Sequence, residues 1–85
     1  MSGGWKVAFD ADAVECLLGC RANERRKLLQ FAESLKAHPT LPGDFVEQDD
    51  SRRNLQVKLV SRFLVTYWAD HAVKEVKVVA IEQAD

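Results

Sequence analysis

The sequence predicts an α+β domain with an N-terminal strand, a helical hairpin and then an antiparallel β-meander, with both helices on one face of the sheet. Three observations predict it. Large apolar side chains alternate with other residues in WKVAF, residues 5–9. Apolar residues then recur three and four positions apart as far as Pro39. From Asp44 onward the spacing returns to two, which is typical of strands.

The segment between the first strand and Pro39 predicts two helices. Asp12 and Glu15 have the spacing of a capping box, and we expect the helix that they begin to end at Gly19. Asn23 is the expected N-cap of a second helix, which Pro39 stops. Because few residues separate the helices, they should form an antiparallel hairpin over a single face of the sheet.

The second half of the chain predicts four strands at residues 44–48, 54–60, 63–69 and 76–82. Ser61 and Arg62 have the length of a two-residue turn, which places three pairs of residues opposite each other. These pairs are Val60 with Phe63, Lys58 with Val65, and Gln56 with Tyr67. Directly opposed residues share a face, so this register also divides the hairpin into two faces.

The two faces of the hairpin differ in apolar content. The more apolar set is expected under the helices: Leu55, Val57, Leu59, Leu64, Thr66 and Trp68. Gln56, Lys58 and Tyr67 are then expected on the open face. The apolar residues beside them, Val60, Phe63 and Val65, favour a protein partner there over RNA.

Composition limits the possible functions. The 85 residues suffice for one domain, residues 1–85, and 47% hydrophobic with 29% charged residues excludes a disordered chain. Twelve basic against thirteen acidic residues give a net charge of -1, so no general positive field attracts nucleic acid. No apolar run approaches the ~20 residues of a membrane span, and no charged-then-apolar leader opens the chain. We expect a soluble cytoplasmic protein without a membrane partner.

The cysteine and histidine positions give no support for a metal site or a cofactor. On a helix, Cys16 and Cys20 would place their Cβ atoms roughly 5–6 Å apart, beyond the ~3.8 Å of a disulfide, so free thiols are expected. His38 and His71 lie in other predicted elements, and no second cysteine pair completes a tetrahedral set. No glycine-rich phosphate loop or Ser-His-Asp pattern is present either.

Two helical stretches and the meander carry a resemblance to a known family. The first two are WKVAFDADAVECLL, which includes the first strand, and ERRKLLQFAESLKAHP; the meander contributes LQVKLV, RFLVTYW and VKVVAI. Over residues 5–82 the chain resembles the RelE/ParE superfamily, the toxins of type II toxin-antitoxin modules, a class that includes plasmid stabilisation modules. The resemblance implies a small toxin bound by a cognate antitoxin. RelE-like members cut mRNA in the ribosomal A site without a metal, and ParE-like members act on DNA gyrase.

The family's site residues are only partly matched. Lys58 matches the family's basic residue on the first meander strand, and Phe63 and Tyr67 match an aromatic residue and a tyrosine on the next. Three positions where the family's cutting members carry basic residues hold other residues: Gln56, Leu64 and Ala84. If the chain cuts RNA, the candidate catalytic residues are Lys58 and Tyr67, which the resemblance implies, and Arg62, a turn residue beside the same sheet that would substitute for a missing basic position. They would stabilise phosphate charge and move protons.

Three further residues are candidates for binding RNA. Arg52 and Arg53 flank the predicted sheet at a turn, and His71 lies in the last loop with an unperturbed pKa near neutrality. Each also has a structural interpretation. The two arginines would offset Asp49 and Asp50, and His71 would be a solvated loop residue, as His38 would only end the second helix.

The sequence therefore supports a toxin-like protein that binds an antitoxin and acts on ribosome-bound mRNA, with a non-enzymatic binder as the alternative. That binder would be a ParE-like gyrase inhibitor or a catalytically degenerate relative. The antitoxin would supply a disordered segment that folds on the sheet or beside the helices. Val60, Phe63 and Val65 on the expected open face also allow a homodimer.

Overall fold

The structure, a computed structural model, describes residues 4–84, and its elements follow the predicted order. The prediction of one domain over residues 1–85 includes residues 1–3 and 85, which lie outside this described part. The elements are β1 (Lys6–Phe9), α1 (Ala11–Gly19), α2 (Ala22–Ala37), β2 (Phe45–Gln48), β3 (Asn54–Val60), β4 (Phe63–Asp70) and β5 (Glu75–Gln83).

One five-stranded sheet has the order β1-β5-β4-β3-β2. The last four strands form the predicted antiparallel meander, and β1 joins its far side by pairing in parallel with β5. A parallel pair needs a long crossover, which the two helices and the meander itself supply. The predicted α+β fold class is thus confirmed.

Helix α1 begins two residues earlier than predicted. Its N-cap is Asp10, whose side chain makes no capping hydrogen bond, and Asp12 lies in the first turn, where a carboxylate suits the positive end of the helix dipole. The predicted capping box of Asp12 and Glu15 was wrong, because the chain is already helical at Ala11. The predicted end at Gly19 is confirmed.

An arginine of α2 satisfies the last carbonyls of α1. Arg25 donates from Nε to the carbonyl of Leu17 at 2.7 Å, and from Nη2 to the carbonyls of Leu18 and Cys20 at 3.4 and 3.0 Å. These carbonyls have no partner inside their own helix, and they carry its negative dipole end. Arg25 therefore ties the two helices together.

Helix α2 also begins before its predicted cap. Arg21 is the N-cap, and its backbone N–H donates to Oε1 of Glu24 at 3.1 Å, which is one half of a capping box. The prediction that Asn23 caps this helix was wrong, since Asn23 already lies inside it. His38 follows the last helical residue, as predicted.

The core lies between the helices and one face of the sheet. Helix residues Ala13, Leu17, Leu28 and Leu35 pack there against Phe63, Val65, Tyr67, Val76, Val78 and Ile81. The predicted register of β3 and β4 is confirmed at all three pairs. The predicted faces were wrong: the helices cover the face of Phe63, Val65 and Tyr67, and Leu59, Leu64 and Trp68 lie on the opposite face.

Strand β5 explains why the faces are reversed. Its large apolar residues Val76, Val78 and Ile81 pair with the same side of β4 as Tyr67 and Val65, while Lys77 and Glu82 occupy the other side. A bulge in β5 brings Ile81 to the same face as Val76 and Val78, because Tyr67 pairs with Val78 and Thr66 with Ala80, so that Val79 has no partner on β4.

No helix within residues 4–84 is long and apolar enough to cross a membrane.

Candidate functional site

Tyr67 lies in the core, so its predicted position on the open face was wrong. Its side chain is 0% exposed, and its ring contacts Phe31 of α2 edge to face, with 5.6 Å between centroids. The hydroxyl donates to the carbonyl of Leu41 at 2.8 Å. Burial first and the charge of Asp44 second raise the pKa of Tyr67 to about 12. The phenol therefore stays protonated at neutral pH, and its hydrogen bond is donated to the backbone of Leu41.

Lys58 lies on the helix-covered side of β3 and is partly exposed. Its Nζ is 3.3 Å from Oδ1 of Asp44, whose Oδ2 accepts the backbone N–H of Leu59 at 2.8 Å. The bond from Leu59, more than the one from Lys58, holds the pKa of the Asp44 carboxyl below its usual range. Asp44 is thus ionised next to Lys58, and it reduces the positive charge that this lysine could offer to a phosphate.

Gln56 shares the face of Lys58 and Tyr67, and it too is engaged. Its Oε1 accepts the backbone N–H of Gly43 at 2.9 Å. Gly43 is needed at that point, because a Cβ there would lie 2.4 Å from the carbonyl oxygen of Val57. The loop that leads from α2 to β2 is therefore held against β3 at Gln56.

Arg62 lies in the β3–β4 turn, at the opposite end of the sheet from the other two meander turns. Its Nε donates to Oε2 of Glu24 at 2.6 Å, and Glu24 is a buried residue at the start of α2. Arg62 first, then the N–H of Arg21, lowers the pKa of the Glu24 carboxyl. The pair joins the turn to the helix layer.

The three predicted catalytic residues therefore have separate partners. Lys58 is bound to Asp44, Arg62 to Glu24 and Tyr67 to the backbone of Leu41. Asp44 acts on two of them: it pairs with Lys58, and its charge contributes to the raised pKa of Tyr67. Arg62 lies in the β3–β4 turn, and each of the three polar groups makes a contact within the fold.

The predicted RNA-binding residues lie at the same end of the sheet but in different turns, Arg52 and Arg53 in the β2–β3 turn and His71 in the β4–β5 turn. Arg53 pairs with Asp49 at 3.1 Å, as predicted, and its guanidinium carbon lies 4.0 Å from the ring centroid of Trp68. Arg52 has a positive φ of 62° in the same turn. The ring of His71 meets that of Trp5 edge to face at 5.0 Å.

Trp68 is the centre of the charged part of the open face. Lys77 approaches the ring at 5.5 Å and pairs with Asp70 at 3.1 Å, while Arg53 lies against the same ring. Lys77 is the main cause of a lowered pKa of the Asp70 carboxyl. Each of these two cations has a carboxylate partner, so their charge is balanced locally.

Sequence reasoning missed the exposed apolar residues on the open face and the β2 edge. Phe45 and Leu59 are 46% and 50% exposed there, whereas Val57, directly opposite Phe45, is 1% exposed. All four residues of β2 are exposed, and β2 is the last strand of the sheet, with Val46 54% exposed. The sequence feature that could have predicted this is FVEQ, because its two apolar residues are adjacent and therefore place one apolar side chain on each face of the strand.

The cysteines lie beside a small pocket of about 230 Å³, which Arg62 and Phe63 also line. Both are free thiols. Burial, with a smaller contribution from Cys20, raises the pKa of the Cys16 thiol, which disfavours the reactive thiolate. Within residues 4–84 no group of three His, Cys, Asp or Glu side chains could hold a metal ion.

Comparison with known proteins shows similarity at the level of structure. No family model matches the sequence, and no curated protein matches it. The archaeal RelE-RelB complex from Pyrococcus horikoshii OT3 contains a similar chain, with a TM-score of 0.74, 18% identity and 94% of both chains covered. The intact E. coli RelBE toxin-antitoxin complex contains another, with a TM-score of 0.65, 15% identity, and 95% of this chain and 98% of that one covered. At these identities the similarity shows a shared fold.

Proposed function

We propose that this chain, which has a RelE-like fold, is the toxin-like component of a toxin-antitoxin pair and that its principal activity is to bind a cognate antitoxin. The observation that carries the proposal is the similarity to chains from two toxin-antitoxin complexes over nearly the full length of each chain. The expected cytoplasmic location accords with this role.

The side chains favour a binder over a nuclease. Metal-independent RNA cleavage needs cations aimed at the phosphate and a group that exchanges protons near neutral pH. Here Asp44 and Glu24 partly neutralise Lys58 and Arg62, and the pKa of Tyr67 is raised to about 12. Leu64 adds no charge at the position where an arginine is usual in the family. We therefore propose a catalytically degenerate or gyrase-directed protein.

The antitoxin is proposed to dock at the β2 edge and the adjoining part of the open face. No strand of residues 4–84 pairs with the outer edge of β2, so an extended segment could add a strand there. Phe45 and Leu59 would then be covered by side chains of that segment. Neither side chain contributes to the helix-covered core, so both remain available for a partner.

Co-expression with the product of the adjacent reading frame tests antitoxin binding. The two proteins should co-purify, and the double substitution Phe45→Gln, Leu59→Gln should abolish the complex while the circular dichroism spectrum is unchanged. Leu18→Gln, which removes an exposed leucine from the opposite side of the molecule, is the matched control. A partner that still binds the double variant, or an adjacent product that never binds, would contradict this proposal.

Two activity assays distinguish a binder without catalytic activity, a gyrase inhibitor and a nuclease. Ribosome-bound mRNA should remain intact at high protein concentration, and a supercoiling assay then distinguishes gyrase inhibition from binding alone. The controls are Lys58→Ala and Tyr67→Phe. Cleavage of mRNA that is lost in Lys58→Ala would establish the nuclease instead.

A further inference from the structure

The outer surface of the helix layer, on the side away from the sheet, has two halves of opposite charge. We propose that this surface is an interface between two copies of the chain. Helix α1 of each copy docks on α2 of the other, so the same contact forms twice. The interface lies outside the surface proposed for the antitoxin, so it goes beyond the toxin-like role and does not depend on it.

The α1 half of the surface is apolar and acidic. Leu18 is 73% exposed, and Val14, one turn earlier, is also exposed. Glu15, three residues before Leu18, lies beside it on the helix surface, Asp12 adds a second carboxylate in the first turn, and α1 has no basic residue in its last turn. Neither carboxylate forms an ion pair within residues 4–84. An exposed leucine beside unpaired carboxylates fits a partner surface that is both apolar and basic.

The first half of α2 provides such a surface. Arg26 and Lys27 are exposed, and neither takes part in an ion pair in the described part of the chain. A shallow groove of about 390 Å³ on the surface of α2 includes Arg26 and is lined by Ala22, Arg25, Arg26, Leu29, Gln30 and Glu33, of which Glu33 is already paired with Lys36. Leu29 is 43% exposed in this groove, so apolar area accompanies the positive charge.

Both halves belong to one chain, so a two-fold axis can satisfy them together. In a two-fold dimer every contact occurs twice, so α1 on α2′ implies α2 on α1′. Leu18 would enter the groove beside Leu29 of the second copy, and Glu15 would face Arg26. A dimer of ordinary size needs about 800 Å² per partner, roughly a seventh of the 5468 Å² surface of the chain. The outward side of two packed helices can supply an area of that order.

Sedimentation of the full chain tests the interface. The protein should dimerise at concentrations on the order of tens of micromolar, and added salt should weaken the dimer. Leu18→Gln should raise the dissociation constant about a hundredfold or more, because the two-fold axis doubles the lost burial. Leu59→Gln, on the opposite face of the sheet, is the matched control and should leave the dimer unchanged. A monomeric wild-type chain at on the order of 100 µM, or a dimer lost only in Leu59→Gln, overturns the proposal.

Charge reversal provides a second test. Glu15→Lys places a cation opposite Arg26 of the second copy, and Arg26→Glu places a carboxylate opposite its Glu15, so each variant alone should be monomeric at concentrations where the wild type is dimeric. Mixed in equal amounts they should form a heterodimer, because both contacts then join opposite charges. Circular dichroism confirms that each variant is folded. Variants that dimerise alone, or a mixture that stays monomeric, overturn the proposed pairing.

Discussion

On the face of the sheet under the helices, Phe63, Val65 and Tyr67 are almost fully buried, whereas Phe45 and Leu59 on the opposite face are about half exposed. The open face is not uniformly exposed, because Leu55 and Val57 are buried there although they lie outside the core cluster that the helices cover. The exposed apolar side chains on this face lie near the β2 edge and the β3–β4 turn. The difference indicates that the covered face holds the fold together, while part of the open face is available to a partner.

Replacing a large residue on each face should give the largest contrast. Phe63→Ala should lower the free energy of unfolding by about 3–5 kcal/mol, since it leaves a cavity between the sheet and the helices. Leu59→Ala should change it by less than about 0.5 kcal/mol. Urea denaturation measures both. Similar losses for the two variants would mean that the open face also contributes a packed core.

Tyr67 tests whether the helix-covered face depends on a polar contact as well as on packing. Tyr67→Phe should lower the free energy of unfolding by about 1–3 kcal/mol, because the carbonyl of Leu41 loses its donor. The comparison variant is Tyr67→Leu, which also removes the ring contact with Phe31 and should cost more. If Tyr67→Phe is neutral in urea denaturation, the hydrogen bond contributes nothing.

The same residue predicts a pH dependence. Because the pKa of Tyr67 is raised from its ordinary value of 10.0 to about 12, the folded state holds the phenolic proton more tightly than the unfolded state. This stabilisation is present below pH 10.0 and is lost as the pH rises towards about 12. The chain has one tyrosine, so phenolate absorbance reports this group alone. Tyr67→Phe should lack this component, and an ordinary titration near pH 10.0 would contradict the burial.

Arg53 should give the smallest effect, and it is on the open face. Arg53→Ala removes the contact with Trp68 and the pair with Asp49, and should lower the free energy of unfolding by about 0.5–1 kcal/mol. Arg53→Lys is the control, since it keeps the charge and loses the planar stacking group. A loss as large as that of Phe63→Ala would place Trp68 in the core of the fold.

Local patterns in the sequence predicted the elements and much of the sheet. Alternation in residues 54–60 and 63–69, with the two-residue turn of Ser61 and Arg62, predicted the register that the structure has. Pro39 predicted where α2 ends, to within two residues. These features depend on near neighbours in the chain, so the sequence contains the information needed to predict them. The helix starts were less predictable, because the sequence rule looks for a side chain that caps the helix, and neither Asp10 nor Arg21 makes a capping hydrogen bond with its side chain.

The candidate site was predicted less well, because its contacts join residues distant in sequence. Arg62 was recognised as a candidate, but its partner Glu24 is 38 residues away. Lys58 and Asp44 are 14 residues apart, and Tyr67 and Leu41 are 26 apart. No spacing rule predicts such pairs, and each of them changes the charge or the acidity of the residue that it joins.

The sequence alone determined the period of each element, the register of the central hairpin and the overall α+β order, since these follow from local geometry and alternating side chains. Only the tertiary structure decided which face of that hairpin the helices cover. Both faces of β3 and β4 carry apolar residues, so their own alternation could not distinguish them. Strand β5, with Val76, Val78 and Ile81 on one side, decided it, because a sheet face is buried by the strands and helices that share it.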